Sequence, residues 1–195
     1  LITIILQKNW LVLTPIIILS QNNFLSSQIL RAMTRILYLV RHAQAEVARN
    51  QKDKTRILTQ TGETEANELG KIIEAKGIKL DLIVSSPAER ALKTAILIGE
   101  QLNIGLTKIE IQEDIYSENL MAILKQINQL DTHYNSVLIV GHFPTIVELY
   151  NYLTEKESIA AMNTAELRSL TFECDWAEIT TQSGSSDLFL QPYGL

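Results

Sequence analysis

Two of the chain's three histidines stand directly behind apolar runs: LYLV at 37–40 is followed by Arg41-His42, and SVLIVG at 136–141 by His142. A third run, DLIVS at 81–85, is followed by Ser86 and then Arg90. A charge at the edge of a core is costly unless it has a partner, so arginines so placed call for an anion. Guanidinium grips phosphate oxygens in bidentate fashion. Histidine can act beside it as nucleophile or proton carrier near neutral pH. Taken singly, a histidine after a strand is more often a hydrogen-bonded structural residue, and a first-turn arginine is usually solvated or ion-paired. The set carries the inference, because both histidines and both arginines fall at the same end of apolar strands. His133, beside Tyr134 in a polar turn, reads as surface.

From residue 35 onward short apolar runs alternate with helical periodicity, the pattern of an α/β fold with a mostly parallel central sheet between helical layers, a three-layer sandwich. Strands are expected at 35–40, 81–85, 108–112 (an edge strand), 136–141 and 167–174 (half-exposed). Between them, 60–76 carries Ala66, Leu69 and Ile73 at helical spacing, with Thr59 or Thr61 as cap and Gly77 past its end. A second helix opens with Pro87 at its first position and ends near Asn103, with Ala91, Ala95, Ile98 and Leu102 along one face. A third is capped by Ser117 and carries Leu120, Leu124, Ile127 and Leu130, and a short fourth covers 144–154. RHAQAEVARNQKDKTR and the SGSSD tail read as loop. In open parallel sheets the ligand crevice lies outside the carboxyl ends of the strands, so Arg41, His42, Ser86, Arg90 and His142 are expected to converge there. The helix after Ser86 adds unpaired N–H groups and a positive dipole end, which suit phosphate.

The domain is expected over 34–181, with 182–195 as a C-terminal tail. Residues 1–33 read as an apolar N-terminal extension outside the fold: LVLTPIIILS at 11–20 is too short to cross a bilayer, which takes about 20 residues, and no A-x-A-like cleavage site follows Lys8. Met33 stands just before the first strand. A membrane-associated leader is the lesser reading. A formal charge of -5 gives no general attraction to nucleic acid, so any anion site must be local. One cysteine, Cys174, allows no intramolecular disulfide, and a cytoplasmic location and a monomer are expected. The chain has no G-x-x-x-x-G-K-[ST] loop, no H-E-x-x-H helix and no G-x-S-x-G elbow, and its dispersed histidines do not suggest zinc. What remains is phosphate chemistry by histidine and arginine with no metal and no cofactor.

LYLVRHA, SSPAERALKTA and VLIVGHFP, in that order, resemble the histidine phosphatase superfamily, the fold shared with cofactor-dependent phosphoglycerate mutases. RILTQTG at 56–62 and the lack of a large helical insertion resemble most its short members, the bacterial phosphohistidine phosphatase SixA group. The resemblance spans about 34–180 and implies that His42 is the nucleophile of a phosphohistidine intermediate, with Arg41, Arg90 and His142 holding the phosphoryl oxygens. Arg56 and Ser86 would bind substrate. Ala43 replaces the usual glycine of R-H-G, and Ile57 a common proline. Larger members of the superfamily protonate an alcohol leaving group with an acid from the segment between the second arginine and second histidine. Glu113, Asp114 and Glu118 are the candidates here, and none is expected to be a committed donor, because a labile P–N bond needs less help.

The expected function is therefore a metal-independent phosphatase acting on a phosphohistidine-bearing signalling protein such as a phosphotransfer domain. A small-molecule phosphomonoesterase and a non-catalytic phosphohistidine-binding module are the alternatives. The arginines around His42 are expected to lower its pKa by disfavouring its cation.

Overall fold

Strand β1 (Arg35–Arg41) sends Leu37 and Leu39 to one side of the sheet and Tyr38 and Val40 to the other. Both sets are buried, and this two-faced burial dictates layers on either side. The computed structural model describes residues 34–47, 52–155 and 158–192. The extension read at 1–33 lies outside the described residues, as does the middle of the loop after β1. The sheet runs β3-β2-β4-β1-β5-β6. Strands β2 (Leu82–Ser85), β3 (Ile109–Ile111) and β4 (Ser136–Gly141) join β1 in parallel, while β5 (Leu167–Phe172) and β6 (Ser185–Leu190) complete it antiparallel.

Helices α1 (Gln60–Ala75) and α2 (Glu89–Gln101) cover the Tyr38 face with Ala66, Leu69, Ile73, Ala91, Ala95 and Ile98. Helices α3 (Leu120–Asn128) and α4 (Thr145–Leu153), with Trp176, cover the Leu37 face. This is the three-layer, mostly parallel sandwich expected, with β3 on the edge.

Several local expectations change. α2 does not begin at Pro87: the Ser86 Oγ accepts the Ala88 N–H at 3.2 Å, and this capture holds the chain out of the helix until Glu89. Ser117 does not cap α3. Its Oγ donates to the Asp114 carbonyl at 2.7 Å, and Asn119 is the cap, accepting from the Ala122 N–H at 3.2 Å. Leu130 lies past the end of α3 yet still packs on the core. β5 is largely buried rather than half-exposed and stops at Phe172, because it is an inner strand paired to β1 on one side and β6 on the other. SGSSD is not loop: from Ser185 the chain is β6, so the segment read as tail supplies the sheet's last strand. Its burial alternates along the strand, as suits an edge with one face covered.

Parallel register puts the carboxyl ends together. Arg41 lies opposite Gly141, and Ser85 opposite Val140. The residues that follow β1, β2 and β4, three adjacent strands, therefore open onto one edge.

Candidate active site

At that edge Arg41, His42, Asp53, Arg56, Arg90, Tyr116, Glu118 and His142 line a cleft of about 730 Å³. His42 follows β1 with its backbone N–H bonded to the Gly141 carbonyl at 3.0 Å, which holds it beside the end of β4. Its Nδ1 lies 2.7 Å from the Ala43 carbonyl. A carbonyl only accepts, so Nδ1 carries the proton and Nε2 presents its lone pair, toward which Arg90 Nε points at 3.2 Å.

Ala43 is not strained by the absence of glycine. It is fully buried, lies outside the positive-φ residues, and donates its N–H to Thr94 Oγ1 at 3.1 Å. Thr94 in turn donates to the Arg90 carbonyl at 2.7 Å, so one hydroxyl ties the His42 segment to the first turns of α2.

The R-x-L-T-x-x-G segment supports the same loop. Thr59 caps α1, its Oγ1 accepting the Gly62 N–H at 3.0 Å and donating to Gln44 Oε1 at 2.7 Å. A Cβ on Gly62 would lie 1.9 Å from the Gln44 carbonyl oxygen, so only glycine lets α1 approach the chain two residues past His42. The buried Glu65 carboxylate accepts the Gln44 N–H at 2.8 Å and the Thr164 hydroxyl at 3.1 Å.

Arg90 is only 4% exposed, and every one of its nitrogens is engaged. Beyond His42, its Nη2 reaches His142 Nδ1 at 3.3 Å and Asp53 Oδ2 at 2.8 Å, and its Nη1 donates to the Asp53 carbonyl at 2.7 Å. Guanidinium only donates, so His142 Nδ1 accepts, and His142 Nε2 donates to Ser86 Oγ at 2.7 Å. The two imidazoles, with centroids 5.1 Å apart, thus face one guanidinium. Arg41 donates Nη1 to the Met162 carbonyl at 2.7 Å, while its buried Nε has no hydrogen-bond partner among the described residues. An orphaned cationic donor of this kind suits an incoming anion.

Electrostatics follow the geometry. Burial lowers the His42 pKa to about 4, helped by the Arg90, Arg41 and Arg56 charges against the opposing Ala43 hydrogen bond. Burial lowers His142 to about 3, with His42 and Arg90 adding to it. Both rings are neutral at pH 7, the state in which an imidazole can attack phosphorus.

Of the residues singled out in the sequence, Arg41, His42, Arg56, Arg90, Glu118 and His142 line the cleft, and Ser86 is buried behind His142. Glu113 is paired instead with Lys54 at 2.8 Å, and Asp114 accepts from Gln126 at 2.7 Å. Neither is among the lining residues, so of the three acids Glu118 is the one that lines the cleft. Asp53 and Tyr116 were not anticipated. The Tyr116 hydroxyl donates to Asp53 Oδ2 at 2.9 Å and its ring meets His142 edge-on at 5.5 Å. Asp53 lies three residues before Arg56, to whose Nε its Oδ1 is 2.9 Å away, and that spacing was the one available signal.

The sequence model of the histidine phosphatase superfamily (branch 1) matches residues 37–118. A phosphohistidine phosphatase SixA homolog of Haemophilus influenzae is 28% identical over 165 residues, covering 80% of this chain and 99% of that protein. A 2,3-bisphosphoglycerate-dependent phosphoglycerate mutase of Methylobacterium is 40% identical over 75 residues, but these are only 35% of its length. Among solved structures, the protein histidine phosphatase SixA complexed with tungstate superposes with a TM-score of 0.70 at 21% identity, covering 80% of this chain and 97% of that one. A chain from Nakamurella multipartitia bearing the SixA name gives 0.71 at 24% identity, covering 83% and 98%. At these identities the structures show a shared fold.

Proposed function

We propose that this chain is a phosphatase of the histidine phosphatase superfamily that hydrolyses phosphohistidine on a protein by way of a phosphorylated His42. The observation that carries this reading is the state of His42: Nδ1 is tied to a carbonyl, and the Nε2 lone pair opens toward a buried guanidinium. In the first step Nε2 attacks phosphorus and the P–N bond to the substrate imidazole breaks. That imidazole leaves with the electron pair and takes a proton from water. In the second step water attacks phosphorus and the P–Nε2 bond breaks, its electron pair returning to His42; the proton that water sheds neutralises the hydroxide left by the first step, inorganic phosphate departs, and the neutral ring is restored.

Charge on the transferring group falls to the cationic donors around it. Arg90 Nε and Nη2 now point at the two histidines, and a phosphoryl group on His42 would take over those N–H bonds. Arg41 Nε is free to add another, with Arg56 at the cleft wall. These preorganised donors are the main catalytic resource of phosphoryl transfer. No group of three or more His, Cys, Asp or Glu among the described residues could hold a metal, and the mechanism routes no step through one. The substrate would be a phosphotransfer domain or similar carrier, met by a monomer in the cytoplasm. No helix among the described residues is long and apolar enough to cross a membrane.

The deciding experiment is inorganic phosphate release from a phosphohistidine-bearing carrier domain, with EDTA present throughout. Release by the native chain and none by His42→Ala is the expected result. Release abolished by EDTA would refute metal independence, and release retained by His42→Ala would refute the nucleophile. Glu118 on the cleft wall favours one second reading, a phosphomonoesterase with a carboxylic acid donor. Under that reading phosphate esters would be hydrolysed and Glu118→Ala would slow them. Oxyanion binding with no turnover of either class would instead indicate a recognition module.

A further inference from the structure

We propose that Asp53 is a built-in counter-ion, a positioning residue that sets Arg90 between the two histidines and holds down the site's affinity for free oxyanions. The inference rests on the phosphoryl-site reading above and adds a residue to it.

Asp53 grips Arg90 twice, through its carbonyl to Nη1 at 2.7 Å and its Oδ2 to Nη2 at 2.8 Å. The same carboxylate approaches Arg56 Nε at 2.9 Å and accepts the Tyr116 hydroxyl at 2.9 Å. It therefore links the segment after β1, the start of α2 and the turn before α3. Arg90 is buried, and a buried guanidinium without a carboxylate is poorly compensated. With its outer nitrogens held by Asp53, Nε and the second Nη2 proton are directed at His42 and His142. Burial alone would push the Asp53 carboxyl up, but the Arg90 and Tyr116 hydrogen bonds and the Arg90 and Arg56 charges outweigh it and leave the pKa lowered. The group is therefore anionic at pH 7.

An anion in the wall of a phosphate site has a second effect. Asp53 is about half exposed to the cleft, with side-chain exposure of 49%, and its charge repels any oxyanion that enters. Free phosphate bears that repulsion fully. The transition state, with its charge spread over three oxygens, gains from the Arg90 geometry that Asp53 enforces. Asp53 thus gives up ground-state affinity and retains the alignment on which turnover depends, which lets product phosphate leave.

The test is calorimetric titration of the native chain and Asp53→Asn with tungstate and with inorganic phosphate, alongside turnover of the phosphohistidine carrier. From Coulomb's law for charges roughly 6 Å apart in a partly screened cleft, Asp53→Asn should bind both oxyanions about three- to tenfold more tightly while kcat falls. A purely structural role would weaken binding and turnover together, so unchanged or weaker oxyanion binding by a folded Asp53→Asn would overturn the proposal. Tyr116→Phe keeps the charge and removes one hydrogen bond. Its oxyanion affinity should stay within about twofold of native, and a tightening equal to that of Asp53→Asn would also overturn the role given to charge. Binding by the native chain without the Asp53→Asn effect would sink this inference alone. No binding by any of the proteins would sink the phosphoryl-site reading with it.

Discussion

Acidification from about pH 7 to about pH 5 should destabilise this protein chiefly through two imidazoles that the fold keeps neutral. His42 titrates at about 4 and His142 at about 3 in the folded chain, against an ordinary value of 6.5. Since the folded-state values are depressed, the unfolded chain binds more protons below 6.5. The stability held in the neutral rings is complete above that pH and is lost as pH falls toward the folded values. At pH 5 linkage gives about 2 kcal/mol for each ring, so about 3–4 kcal/mol for the pair, a large part of the roughly 5–15 kcal/mol that a domain commonly has. Asp53 and Asp131, both lowered by their partners, add a loss of the same sign at still lower pH. Urea denaturation at the two pH values, run on the native chain and on a His42→Asn/His142→Asn double variant, separates the contributions. The native chain should lose about 3–4 kcal/mol more than the double variant across this interval. Equal losses would refute the reasoning, as would imidazole NMR signals of His42 and His142 titrating near 6.5 in the folded protein.

Three further outcomes follow from the same contacts. The acid limb of kcat/KM should fall near pH 4 rather than 6.5, since on the proposed mechanism His42 attacks only when neutral and its pKa is about 4; a pH–rate profile that collapses between 7 and 6 would contradict it. Gly62→Ala should cost about 1–3 kcal/mol in denaturant melts and slow turnover, because the added Cβ would sit 1.9 Å from the Gln44 carbonyl and must push the His42 loop; a neutral effect would mean that the loop yields freely. Thr94→Val, nearly isosteric, should cost about 1–3 kcal/mol by stranding the buried Ala43 N–H, with stability measured by urea titration and the position of His42 by its NMR shifts.

How far the site was legible in the sequence depended on where each residue sat relative to a strand. Arg41, His42 and His142 abut runs whose both-face burial makes them unmistakably strands, and the parallel-sheet rule then brings their ends together without knowledge of contacts. Ser86 and Arg90 were found the same way, although the helix start slipped by two residues because a side-chain capture, not proline's fixed φ, determines it. Asp53 and Tyr116 had no such marker. Their link joins residues 63 apart through the short turns Asp53–Thr55 and Glu113–Ile115, where hydrophobic periodicity carries no signal. The strand Ser185–Leu190 was missed for a related reason: an edge strand with one covered face can open on SSD, since its order comes from pairing with β5 rather than from its own apolar content. The acids Glu113, Asp114 and Glu118 looked equivalent in one short segment, yet their surroundings separate them. Lys54 takes Glu113 and Gln126 takes Asp114, which leaves Glu118 as the one of these three on the cleft wall. A site whose chemistry needs charges held against burial therefore shows its proposed nucleophile through pattern. Its counter-ions show only through contact, and Asp53, which pattern missed, is the residue against which Arg90 is set.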